Sequence, residues 1–113
     1  MALGSVLGTE DIHDMPPSQW GVLDPELVGT VVEVRILCVH PFGVGVHLTA
    51  QGAYGHVNAP RVTDDRFTVD EASRHIGEVR RGLVLAAEPG RQPTLTIRPS
   101  EVPDRSDPHG QII

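Results

Sequence analysis

The sequence contains no lysine; all nine of its basic side chains are arginine. That excludes Schiff-base chemistry on a lysine and a phosphate-binding loop built around one. Cysteine occurs once, as Cys38, so neither an internal disulfide nor a cysteine-rich zinc site can form within the chain. Aromatic residues make up only 4%, so a core has to be built from Val, Leu and Ile. No apolar run approaches the roughly 18 residues of a membrane-spanning helix. The opening Met1-Ala2-Leu3-Gly4-Ser5-Val6-Leu7-Gly8 carries no basic residue and is interrupted by glycine, so a secretory signal is not expected. A nucleophile elbow, a glycine-rich phosphate loop and a paired-carboxylate pattern are also missing. These absences lead to the expectation of a non-enzymatic, bacterial-type cytoplasmic protein with no cofactor and no membrane partner.

What is present points to a small β protein. A chain of 113 residues is enough for one domain. Its 12 glycines and 10 prolines favour a turn-rich sheet over a helical bundle. The formal net charge of −6 argues against a nucleic-acid partner at first sight, but the charge is unevenly placed. Residues 1–28 hold five acidic side chains and no arginine, whereas residues 29–99 hold eight arginines against seven acids. The body is therefore nearly neutral and the ends are acidic. Residues 1–26 read as an acidic N-terminal arm, with Trp20, Val22 and Leu27 available to pin its second half. Residues 27–100 read as the domain, and the polar, proline-rich residues 101–113 as a disordered acidic tail.

Within the body, residues 30–39 are β-branched and alternate around Glu33 and Arg35. His40-Pro41-Phe42-Gly43 breaks the run. Val44, Val46 and Leu48 then alternate with Gly45 and His47. Residues 49–53 suit a hairpin turn, and residues 54–58 a return strand with Tyr54, His56 and Asn58 on one face. Thr68-Val69-Asp70-Glu71 has the spacing of a capping box and opens a short helix to about His75. Residues 79–87 and 94–98 complete five strands. The expected fold is all-β, a five-stranded antiparallel OB-fold barrel with a short helix between strands three and four. The expected core is Val31, Val34, Val46, Leu48, Val57, Leu83, Leu85, Leu95 and Ile97.

Five stretches and their order resemble a known family. They run from Gly29-Thr30-Val31-Val32-Glu33-Val34 through Pro41-Phe42-Gly43-Val44-Gly45-Val46 to Gly55-His56-Val57, then resume at Ile76-Gly77-Glu78-Val79 and Leu95-Thr96-Ile97-Arg98-Pro99-Ser100. The set is similar to the RNA-binding domain named after ribosomal protein S-one, an OB-fold. The longer spacing from Gly29 to Phe42 implies an extended first hairpin. The resemblance implies single-stranded RNA lying across strands two and three, with Phe42 as the first stacking aromatic. The second aromatic position is Gly45 here, and the strand-three histidine position is Asn58. His47, Tyr54 and His56 fall on the same expected face and can replace the missing rings. Arg35, Arg80, Arg81 and Arg98 become phosphate contacts if they converge beside Phe42, and otherwise simply mark the solvent side.

The alternative function is a protein-interaction module of inhibitor or immunity type, in which an OB barrel has lost most of its RNA contacts and acidic ends face a basic partner. His47 and His56, as cross-strand neighbours, would have a spacing that admits a metal, but with no cysteine or acid nearby a polar sheet face is expected and no metal. Asp11, His13 and Asp14 read as solvated arm residues, and Cys38 as a small buried side chain.

Overall fold

A two-residue strand, Leu7–Gly8 (β1), lies beside the longest strand of the chain, Val31–His40 (β2). The computed structural model describes residues 7–8 and 16–103. Strand β2 is followed by Gly43–Leu48 (β3), Ala53–Asn58 (β4), the helix Val69–Ser73 (α1), Val79–Ala86 (β5) and Thr94–Thr96 (β6). The sheet order β1-β2-β3-β4-β6-β5, with β2 also paired to β5, closes five strands into an all-β barrel. This is the expected OB-like barrel, with its helix between the third and fourth barrel strands. Four of its seams are antiparallel as expected; the seam between β4 and β6 departs from that expectation and is parallel, with His56 opposite Thr94 and Val57 opposite Leu95.

The length of β2 lets one strand serve three partners. Its first half, Val31–Arg35, pairs with β5, and its second half, where β5 has ended, pairs with β1. Its other edge pairs with β3 from Val34 to His40, with an irregularity between Ile36 and Cys38. Beyond that point Ile36 to His40 are all buried. Leu37 and Cys38 form a small second cluster against Tyr54, apart from the barrel core. This extended β2–β3 hairpin is the longer first hairpin expected from the Gly29-to-Phe42 spacing.

The barrel interior holds Val34, Val44, Val46, Leu48, Val57, Val84 and Leu95, each at 1% exposure or less. The alternation in β3 and β4 matches the sequence pattern: Val44, Val46, Leu48, Ala53 and Val57 face inward. Strand β5 differs. Leu83, Leu85 and, on β2, Val31 are only half-buried, while Val32, Gly82 and Val84 take the interior positions. The run Gly-Leu-Val-Leu-Ala-Ala from residue 82 has no polar residue to mark an outer face, so the pattern alone leaves its phase open. Packing decides it. A Cβ at position 82 would lie 3.3 Å from Leu95 Cδ2, so the smallest residue faces the bulkiest interior one.

Thr68 caps α1, its Oγ1 accepting the Glu71 backbone N–H at 3.1 Å, as the capping-box spacing requires. The second half of the arm docks on the barrel. The Tyr54 N–H donates to the Trp20 carbonyl at 2.8 Å, and Leu23 enters the core at 7% exposure. Leu23, not Val22, is the anchor: Val22 is 91% exposed, and Leu27 packs against the core from its margin. At the other end Glu101 packs back on the body, accepting from Arg61 Nη1 at 3.0 Å and Thr96 Oγ1 at 2.6 Å. Asp11, His13, Asp14 and residues 104–113 lie outside the described residues.

Leu48→Ala should cost about 2–5 kcal/mol by lost burial plus a cavity. Leu23→Ala should fall at the lower end of that range, whereas Val22→Ala should stay within about 0.5 kcal/mol, as solvent-facing substitutions do. Urea unfolding of the three variants checks this; equal losses at positions 22 and 23 would show that the arm is not held by Leu23.

Candidate nucleic-acid interface

The outer face of β2, β3 and β4 is assembled in rows across the strands. In the first row Arg35 is opposite His47, and His47 is opposite Tyr54. The His47 and Tyr54 rings lie 4.8 Å apart at 34°. In the second row Gly45 sits between Cys38 on β2 and His56 on β4. The third row is His40, Gly43 and Asn58. Phe42 stands at this end of the face, in the two-residue turn that joins β2 to β3.

The turn is set by Gly43. Its φ of +150° is in the range that side-chain-bearing residues rarely adopt, and a Cβ there would collide with the Val57 carbonyl oxygen. The close approach brings the turn onto the end of β4, where the Ala59 N–H donates to the Phe42 carbonyl at 2.9 Å. Phe42 is thereby held over the sheet and remains 53% exposed. The His40 ring is stacked on it at 4.8 Å and 12°, and the His56 ring is tilted against it at 5.8 Å and 35°. His40 itself is 5% exposed. This ring is a member of the site that the sequence pattern did not reveal, because His40 reads there as the breaker of a strand. Its only signal is position: a two-residue turn forces His40 and Gly43 to face each other beside Phe42.

His47 and His56 are not direct cross-strand neighbours. The register opposes His47 to Tyr54 and His56 to Gly45, so the imidazole whose charge bears on His56 is His40. Burial of the His56 ring pushes its pKa below the ordinary value of 6.5; a bond to Asn58 opposes this, and His40 adds to it. The bond joins His56 Nε2 and Asn58 Oδ1 at 2.8 Å. Near neutral pH His56 is therefore uncharged. No group of three or more histidine, cysteine or acidic side chains among the described residues could hold a metal ion.

Of the four arginines, only Arg35 joins these rows. Its Nη1 donates to the Gly77 carbonyl at 2.7 Å, an uncharged acceptor. Arg80 reaches the end of the barrel instead, paired with Glu78 at 2.7 Å and beside His75 Nδ1 at 3.0 Å. There it lines a cavity of about 270 Å³ between α1 and the barrel, together with Ile36, Ala72 and Ile97. Arg98 Nε binds Asp64 Oδ1 at 2.9 Å, and Asp64 also accepts from the Ser100 hydroxyl. Arg81 is exposed opposite Glu33, toward the far end of the outer face from Phe42. The arginines do not converge beside Phe42, because three of them lie elsewhere on the barrel, two in pairs with carboxylates.

These contacts fix the acid response. The Ser100 hydroxyl, with Arg98, holds Asp64 below its ordinary pKa; Arg80, with His75, does so for Glu78; and Thr96, with Arg61, for Glu101. Each contributes stability that is present above the ordinary carboxylate range and lost as pH falls through the lower folded value. His56 acts in the same direction at higher pH. Below 6.5 the unfolded chain takes up a proton that the folded ring resists, so stability declines from that point downward and is unaffected above it. A histidine NMR titration should place the His56 midpoint below 6.5; a midpoint at or above that value would contradict the burial of this ring.

No protein-family model matches the sequence, and no curated protein matches it.

Proposed function

We propose that the protein binds single-stranded RNA, without catalysis, through the outer face of β2, β3 and β4. The observation that carries the reading is Phe42: a large apolar ring left 53% exposed at the edge of a sheet whose interior is filled by aliphatic side chains. Burying such a ring is worth about 1.5–3 kcal/mol, yet the Gly43 turn holds it outward between two imidazoles. A base offers a flat partner of matching size. The His47–Tyr54 pair, with Arg35 beside it, supplies a second ring surface and one cation for the backbone. The resemblance of the Phe42-Gly43 segment to the S-one-type domain supports the same reading, as does the composition for a bacterial, cytoplasmic setting.

A protein-docking module is the second reading, and one observation favours it. Arg80 and Arg98 are paired with Glu78 and Asp64, which leaves a weakly charged, ring-lined face of the kind that also suits a protein partner.

Fluorescence anisotropy with a short single-stranded RNA separates the two. Phe42→Ala should weaken binding by about 1–3 kcal/mol while leaving the melting temperature nearly unchanged. With Arg35 the one cation in the rows, affinity should fall only shallowly with salt, at a log–log slope of about −0.7 per phosphate contacted. Arg98→Ala should lower the melting temperature and leave affinity unaltered. Absence of RNA binding even at low salt would overturn the RNA reading in favour of the protein partner.

A further inference from the structure

Helix α1 covers the mouth of the barrel without filling it. Ala72 is the helix residue that turns fully inward, and its single methyl leaves the cavity of about 270 Å³ between helix and barrel. Ile36, Val62 and Ile97 line the barrel side, each at 9% exposure or less, and the half-buried Phe67 closes one wall. The space exceeds the roughly 150 Å³ of an apolar cavity that accepts a benzene ring. One polar group in the wall is held in place. Arg80 donates to Glu78 Oε1 through Nε at 3.2 Å and Nη2 at 2.7 Å, and Nη2 lies 3.0 Å from His75 Nδ1. Among the described residues Nη1 has no partner, so its N–H groups remain for a ligand. The charges of the wall cancel, Arg66 and Arg80 against Asp65 and Glu71, and Glu78 offsets Arg80 further. A charged ligand would leave water for apolar walls with no net charge to receive it. A carbonyl oxygen accepts a hydrogen bond without bringing a charge.

We propose that the cavity under α1 is a binding site for a small uncharged ligand with an apolar ring body and a carbonyl group. The rings lie against Ile36, Val62 and Ile97, and the carbonyl oxygen accepts from the Arg80 guanidinium. Arg80 is the residue that selects the head group, and Glu78 and His75 position it. The site lies at the end of the barrel and does not rest on the RNA reading.

The test titrates the full chain at neutral pH with 2-naphthamide, 2-naphthoate and 2-naphthylmethylamine, followed by amide NMR. The three probes share one ring body and differ in the head: an uncharged carbonyl, an anion and a cation. The naphthamide should bind saturably, about 10-fold or more tighter than either charged probe, and should move the signals of Ile36, Ala72 and Ile97. Arg80→Met leaves Glu78 paired with His75 and should weaken the naphthamide by about 10-fold, the low end for a hydrogen bond from a charged donor. Ala72→Met keeps a good helix former in α1 and should abolish binding by filling the space. Saturable binding of none of the probes by the wild-type protein would overturn the site, as would shifts confined to residues away from the cavity. A naphthoate that binds as tightly as the naphthamide, or an unchanged naphthamide affinity in Arg80→Met, would overturn the ligand class. RNA plays no part in these readouts, so a failure here leaves the RNA reading standing and its failure leaves the cavity site standing.

Discussion

The barrel closes around Leu95. This side chain is fully buried, and its two methyl groups reach toward two glycines, Gly55 and Gly82. A Cβ on Gly55 would come within 2.6 Å of Cδ1, and one on Gly82 within 3.3 Å of Cδ2. None of the four aromatic residues is fully buried, so the interior is filled by aliphatic side chains, with two glycines making room for one leucine. Close packing of this kind tolerates no slip in register. With Ala53, Gly55 and Val57 committed inward, Tyr54, His56 and Asn58 have no direction left but outward. The candidate site is thus a consequence of the core: moving β4 by one residue would bury the imidazole and expose the valine.

The arginines show how charge is spent in a chain without lysine. Arg61 and Arg98 each tie a carboxylate distant in the chain, Glu101 and Asp64, and Arg80 ties its near neighbour Glu78. All of these pairs are partly open to solvent, where an ion pair contributes little to stability. Their effect is positional. They hold the segment after β6 against the segment after β4, and the turn before β5 against the end of α1. The same pairing offsets positive charge on the surface and leaves the face of β2–β4 with rings and hydrogen-bonding groups and one arginine, Arg35.

Much of the scaffold was legible in the sequence because its signals are local. The alternation from Val44 to Leu48, the Thr68 cap and the outward set Tyr54, His56 and Asn58 each depend on side chains a few residues apart, and each appears where the pattern placed it. The phase of β5 was not legible, since an unbroken apolar run carries no polar mark and Leu95, far along the chain, decides which residues turn inward. The destination of Arg98 was not legible for the same reason: its partner, Asp64, lies 34 residues away in the chain. His40 was hidden by a different effect. A histidine before proline reads as punctuation, and only the tightness of the following turn makes it the floor beneath Phe42.

That floor explains how the face can work without the second aromatic that the S-one-type resemblance would place at Gly45. On β3 a ring at that position would project between Cys38 and His56. Here the carbon ring is single, and imidazoles occupy the flanks: His40 parallel beneath it, His56 tilted at its side. Replacing a carbon ring by an imidazole trades apolar stacking area for a hydrogen-bonding edge, and the edge of His56 is already engaged with Asn58. The surface therefore gives up part of a stacking platform and gains a fixed polar group at the same end of the sheet. On the proposed RNA reading, a face with one carbon ring relies less on stacking than a face with two.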